Sequence, residues 1–134
     1  MRVMVLVKAT EESEKGFVRT PETMAAMAEM ERFNDDLRAA GVLRAADGLM
    51  TSAHAKRVAF DGASRTVIDG PFPHPRELVA GFWLWDVENM DEAVAWVKRC
   101  PNPMAGPSVI EIRPIEEMAD LADAPPAASS RGGG

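Results

Sequence analysis

The sequence predicts an α+β sandwich, with elements in the order βαββαβ and an extra β-hairpin inserted between the second and third strands. Three observations lead there. Residues 2–8 and 81–87 are short runs that are apolar on both alternating faces. Two stretches at helical spacing, one opened by Thr20-Pro21 and the other by Asn89 with Glu92, separate the strand-like runs. Asp61-Gly62-Ala63-Ser64 lies between two strand-forming runs and reads as a hairpin turn.

In the first strand Val3, Val5 and Val7 point to one side, and Met4 and Leu6 to the other. Helices on one side of an antiparallel sheet leave the second side wet. In so short a chain the economical cover is a second copy of the sheet, so this strand implies a homodimer. Residues 9–19 form a polar loop containing Gly16, long enough to border a cleft, with Glu11, Glu12, Glu14 and Lys15 read as solvated surface. Thr20 then caps a helix, with Pro21 at its first position and Glu22 in its first turn. Ala26, Met30, Phe33, Leu37 and Ala40, with Met27 beside them, give that helix its buried stripe, and Gly41 is its left-handed stop. A methionine row of this kind is packing rather than a metal or cofactor box.

Residues 42–50 make a short strand, and residues 55–60 and 65–69 the hairpin, with Lys56, Arg57 and Arg65 on its exposed face and His54 at its entrance. In residues 81–87, Phe82 and Leu84 face one way and Trp83, Trp85 and Val87 the other. The indoles suit an interface or a ligand wall as well as a core. The second helix covers residues 90–100, burying Met90, Ala93, Val94 and Val97, and Pro101 ends it. In residues 109–113, Val109, Glu111 and Arg113 alternate with Ile110 and Ile112, the clean pattern of a less buried strand. The first and third strands are central in a ferredoxin-like sandwich, and they are the two with apolar side chains on both faces. Residues 1–118 form the domain; residues 119–134, acidic and then rich in Pro, Ala, Ser and Gly, read as a flexible tail.

Composition narrows the function classes. A net charge of −6 with scattered Lys and Arg argues against nucleic-acid binding. The longest apolar runs, 3–7 and 82–85, are too short to cross a bilayer. An apolar run beginning at residue 3 leaves no room for a cleavable signal, and the single cysteine, Cys100, suits the reducing cytoplasm. Cys100 reads as apolar packing, since no histidine lies near it in sequence to activate a nucleophile. Two histidines and one cysteine make no metal constellation, and no phosphate-cradling loop, nucleophile elbow or nucleotide fingerprint occurs, so no cofactor is expected.

Chemistry concentrates in residues 67–77. A strand delivers Asp69 into Gly70-Pro71-Phe72, and the stiff Pro73-His74-Pro75 segment presents His74, Arg76 and Glu77. Asp69, at a rigid turn, is the candidate general base or acid, and His74 is its natural proton partner. Arg76 can clamp a carboxylate or enolate through two parallel bonds. Such a set serves proton abstraction, isomerisation or elimination on a small acidic molecule. The alternative is structural: Asp69 hydrogen-bonds the backbone of its own turn. Phe72, Glu77, Trp83 and Asn34 are candidate substrate-binding residues. Asn34 reaches the cleft from the first helix, or is simply an amide on the helix surface.

Several segments, in order, resemble the YCII-related proteins in the subgroup named for a DGPF-type motif. They are Asp69-Gly70-Pro71-Phe72 with Glu77, residues 33–43, residues 81–85, Asp91-Glu92-Ala93 with Arg99-Cys100-Pro101, and residues 110–114. The resemblance implies a dimeric α/β barrel with a cleft near the motif, over about residues 1–118. The family's motif continues Ala-Glu-Thr-Lys-Glu, where this chain has Pro73-His74-Pro75-Arg76-Glu77. Some relatives in the wider superfamily look like enzymes that act on small cyclic or halogenated molecules with a His-Asp pair. Their histidine sits on the first helix, which here has none. The resemblance also implies a functional link to sigma-factor-like transcription regulators. A small lyase- or isomerase-type enzyme and a non-catalytic small-molecule-binding accessory protein are therefore both open.

Overall fold

Side chains alternate along a strand, so Val3, Val5 and Val7 must share one side, and that is the side the helices cover. The fold is a computed structural model that describes residues 1–122. Strand β1 (Arg2–Lys8), helix α1 (Pro21–Ala39), strands β2 (Leu43–Gly48), β3 (Lys56–Asp61), β4 (Ser64–Asp69) and β5 (Val79–Asp86), helix α2 (Met90–Arg99), strand β6 (Ile110–Pro114) and the short helix α3 (Met118–Ala122) follow in that order. The main sheet runs β2-β5-β1-β6, so the first and third strands of the βαββαβ frame are central, as expected, and β3-β4 stands apart as a hairpin.

β1 and β5 pair antiparallel with Val5 opposite Trp83 and Val3 opposite Trp85. Above them α1 lays Phe33 and Leu37, and α2 lays Ala93. Phe33 meets three indoles edge-on, with ring centres 6.0 Å from Trp83, 6.3 Å from Trp85 and 6.2 Å from Trp96. Burying a side chain as fully as Leu37 is worth about 1.5–3 kcal/mol.

The helix ends follow their sequence signals. Thr20 accepts from the Thr23 amide at 3.1 Å while Thr23 Oγ1 accepts from the Thr20 amide at 2.9 Å, a reciprocal box closed by threonine instead of glutamate. Asn89 accepts from the Glu92 amide at 2.9 Å, and Gly41 takes a left-handed φ of 73°.

Two expectations about the stripes are corrected. On α1 only Met30, Phe33 and Leu37 pack inward, and Ala26, Met27 and Ala40 are exposed. The 19-residue helix is about 28 Å long by its rise, against about 23 Å for seven-residue β1, so its first turns project past the sheet. On α2, Val94 is exposed, and Trp96 packs against the core in addition to Met90 and Val97.

The opposite face of the sheet carries Met4 across from Leu84 and Leu6 across from Phe82, a partly buried apolar band. Arg2, Asp86, Glu111 and Arg113 share that face by alternation. The β1–β5 register slips between Val7 and Lys8. The Arg2 guanidinium makes two bonds to Glu117, 2.8 and 2.9 Å, which hold the segment entering α3 against β1 and keep the Glu117 carboxyl below its usual range. The tail expected over 119–134 lies outside the described residues from 123 onward. No helix among the described residues is long and apolar enough to cross a membrane.

Candidate functional site

The turn after β4 is built by close approach. A Cβ on Gly70 would lie 1.7 Å from the carbonyl oxygen of Ser52, so only glycine fits while the backbone stays in place. The Gly70 amide donates to the Ala55 carbonyl at 2.9 Å. Ser52, buried in the 3-10 turn Ser52–His54, accepts from the Phe72 amide at 2.9 Å and donates its hydroxyl proton to the Glu14 carboxylate. Glu14 also accepts from the Ser52 amide at 3.0 Å. Glu14, read from sequence as solvated surface, thus ties the loop after β1 to the turn. Phe72 is buried with the Arg57 guanidinium 3.9 Å from its ring centre.

The predicted site residues fall into separate places. Asp69 faces Lys56 across the hairpin in an exposed ion pair, and it does not cap its own turn. Phe72 serves as the anchor just described. Glu77 is exposed. His74 and Arg76 line one cleft, of about 510 Å³, with Lys8 and Glu11. Asn34 and Trp83 line another, of about 400 Å³, between α1 and the ends of β1, β2 and β5.

This second cleft has an apolar floor and a single anchored amide. Val7, Met30, Trp83 and Met104 supply its apolar walls, and Glu31 and Asp47 are exposed on its rim. Trp83 Nε1 donates to Asn34 Oδ1 at 2.8 Å. An indole nitrogen can only donate, so the amide oxygen must face it and the amide NH2 is left over. Among the described residues that NH2 has no protein partner. Ala80, Pro103 and Met104 also border a wider groove of about 710 Å³ lined by Phe17, Val18, Leu49 and Met50, which extends the cleft under the loop after β1. Methionine walls adapt to ligand shape, and a lone donor above an apolar floor selects a molecule with one acceptor.

Ser52, Glu14, Met104 and Lys8 escaped the sequence reading because each acts through contacts distant in the chain. Only the polarity of residues 9–19, and their length, hinted that this loop borders a cleft. Among the described residues no group of His, Cys, Asp and Glu could hold a metal ion. Burial pushes the Cys100 thiol up to about 11, so the thiolate is scarce near neutrality and the packing role stands.

A four-stranded antiparallel sheet covered by two helices, with a hairpin insertion and a cleft at one end, defines an α+β protein of ferredoxin-like arrangement. Residues 1–119 match the YCII-related domain, and the chain belongs to that family. An uncharacterised protein of Rhizobium meliloti (strain 1021) is 30% identical over 76 residues, which covers 57% of this chain and 61% of the relative.

Gly70→Ala should destabilise the fold by about 2–3 kcal/mol and lower the unfolding midpoint by roughly 5–10 °C, read by circular dichroism. Gly48→Ala, where an added Cβ meets nothing within 4 Å, should change stability by less than about 0.5 kcal/mol.

Proposed function

We propose that this YCII-related protein, of the DGPF-motif subgroup, is a cytoplasmic homodimer that binds a small, neutral, mostly apolar molecule carrying a hydrogen-bond acceptor. The ligand lies between α1 and the sheet, its flat body on Trp83 and the methionines and its acceptor on the Asn34 NH2. The anchored Asn34 amide carries this reading, since its oxygen is held by Trp83 and its donor is left over. Carboxylates on the rim, Glu31 and Asp47, disfavour an anionic ligand. The band of Met4, Leu6, Phe82 and Leu84 receives the same face of a second copy, a contact of roughly 1,500 Å² in a stable dimer. A binder of this kind suits an accessory role beside a sigma-factor-like regulator.

Turnover by Asp69, His74 and Arg76, as a lyase or isomerase, is the second reading. Its support is that His74 and Arg76 share a cleft, and against it stands the engagement of Asp69 by Lys56.

Thermal shift with benzamide as the neutral acceptor probe separates the two. Asn34→Asp keeps an oxygen for Trp83 but removes the donor, so the unliganded midpoint should hold while benzamide affinity falls about tenfold or more. Asp69→Asn should leave benzamide binding unchanged; loss of binding there would favour the catalytic reading. In sedimentation at micromolar concentration the chain should run as a dimer, and Leu84→Glu as a folded monomer.

A further inference from the structure

The cleft that holds His74 and Arg76 has a charge pattern unlike the rest of this acidic chain. Most lysines and arginines among the described residues are engaged: Arg2 with Glu117, Lys15 with Glu12, Arg38 with Asp35, Arg44 with Asp86, Lys56 with Asp69, Arg99 with Asp36 and Arg113 with Glu111. Arg57 and Arg65 lie over Phe72 and Phe60. Lys8, Arg19, Arg32, Arg76 and Lys98 have no such partner among the described residues, and of these Lys8 and Arg76 line one cleft of about 510 Å³ together with His74. Lys8 is a partly buried residue whose stem lies along the end of β1 and whose ammonium group has no carboxylate partner among the described residues. Glu11 also lines the cleft, but no ion pair joins it to any of the three.

The backbone is shaped around these side chains. The β1–β5 register slips opposite Lys8, where Ala80 is the extra residue on β5, so the irregularity lies beside the cleft rather than in β1 itself. His74 has φ 63° and ψ 75°, the left-handed region, between Pro73 and Pro75, and it is the single non-glycine residue with positive φ among the described residues. Such strain in a residue with a Cβ is concentrated at functional places. The hydroxyls nearby are already used, Ser108 Oγ donating to Asn102 at 2.7 Å and Thr10 Oγ1 accepting from the Ser13 amide at 3.1 Å. What remains to meet a ligand is Lys8, His74 and Arg76, set against the one carboxylate of Glu11.

We propose that Lys8, His74 and Arg76 form a binding site for a small oxyanion, a carboxylate or a phosphate group, held by the Arg76 fork with Lys8 as a point charge. This site is separate from the Asn34–Trp83 cleft and has the opposite charge preference, so it stands or falls independently of the function proposed above.

Isothermal titration of the full chain at low ionic strength with inorganic phosphate, and separately with succinate, tests it. Saturable binding of at least one anion is expected, with Arg76→Gln and Lys8→Met each weakening it about tenfold or more. Arg32→Gln, which removes an unpaired cation from the exposed side of α1, should leave it within about twofold. Succinate binding alone identifies a carboxylate site, phosphate binding alone a phosphate site, and both a general oxyanion site. Absence of saturable binding to either anion overturns the proposal. So does equal weakening by Arg32→Gln, which would show only net charge at work. Loss of self-association in Arg76→Gln, with anion binding unchanged, would make the cleft an interface between copies and also overturn it.

Discussion

The hydrogen bond from Trp83 Nε1 to Asn34 Oδ1, 2.8 Å long, is the constraint on which the candidate site depends. It crosses from the sheet to the helix layer and fixes both groups at once, the indole in its plane and the amide in its orientation. The neighbouring indole shows what the bond is worth. Trp85 is fully buried and its Nε1 has no partner among the described residues, a cost of about 1–3 kcal/mol that apolar packing must offset. Two tryptophans thus sit side by side, 5.7 Å between ring centres, one committed to packing and one also committed to the cleft wall.

A second constraint holds the loops that frame the clefts. The Asp69-Gly70-Pro71-Phe72 stretch presses its glycine onto the Ser52 carbonyl and its Phe72 amide onto the Ser52 hydroxyl. Ser52 in turn is gripped by Glu14. Segments near residues 14, 52 and 71 are therefore locked together although they are distant in the chain. This lock explains the motif's glycine and its neighbours by steric fit and hydrogen bonding, without assigning chemistry to Asp69.

Much of the fold could be read from local pattern, because pattern decides which face is dry. The alternation of Val3, Val5 and Val7, the two-sided apolar character of residues 81–87, the threonine and asparagine caps and the Asp61-Gly62 turn all led to the observed frame. The reading overreached where a pattern continued beyond its partner, as at Ala26 and Met27, because sequence gives a helix's apolar face but not the extent of the sheet beneath it. The site was legible in part. Asn34 and Trp83 were named as ligand contacts, but their bond depends on α1 crossing β5, which no local signal encodes. Asp69, His74 and Arg76 are close in sequence, yet a rigid turn separates their directions: the hairpin takes Asp69 to Lys56, and the Pro-flanked segment turns His74 and Arg76 toward Lys8.

The two clefts lie at the end of β1, one bordered by Val7 and the other by Lys8, and the alternation of side chains along the strand lets these adjacent positions serve different surfaces. One is apolar with an acidic rim, and the other gathers Lys8, His74 and Arg76 beside Glu11. The central claim is that the cleft over Trp83 receives a ligand through the amide that Trp83 orients. The most direct measurement is a titration of ¹⁵N-labelled protein with benzamide, following the three indole NH resonances. The Trp83 resonance should shift on saturation while those of Trp85 and Trp96 stay in place. Saturable benzamide binding that leaves the Trp83 resonance unmoved would contradict it.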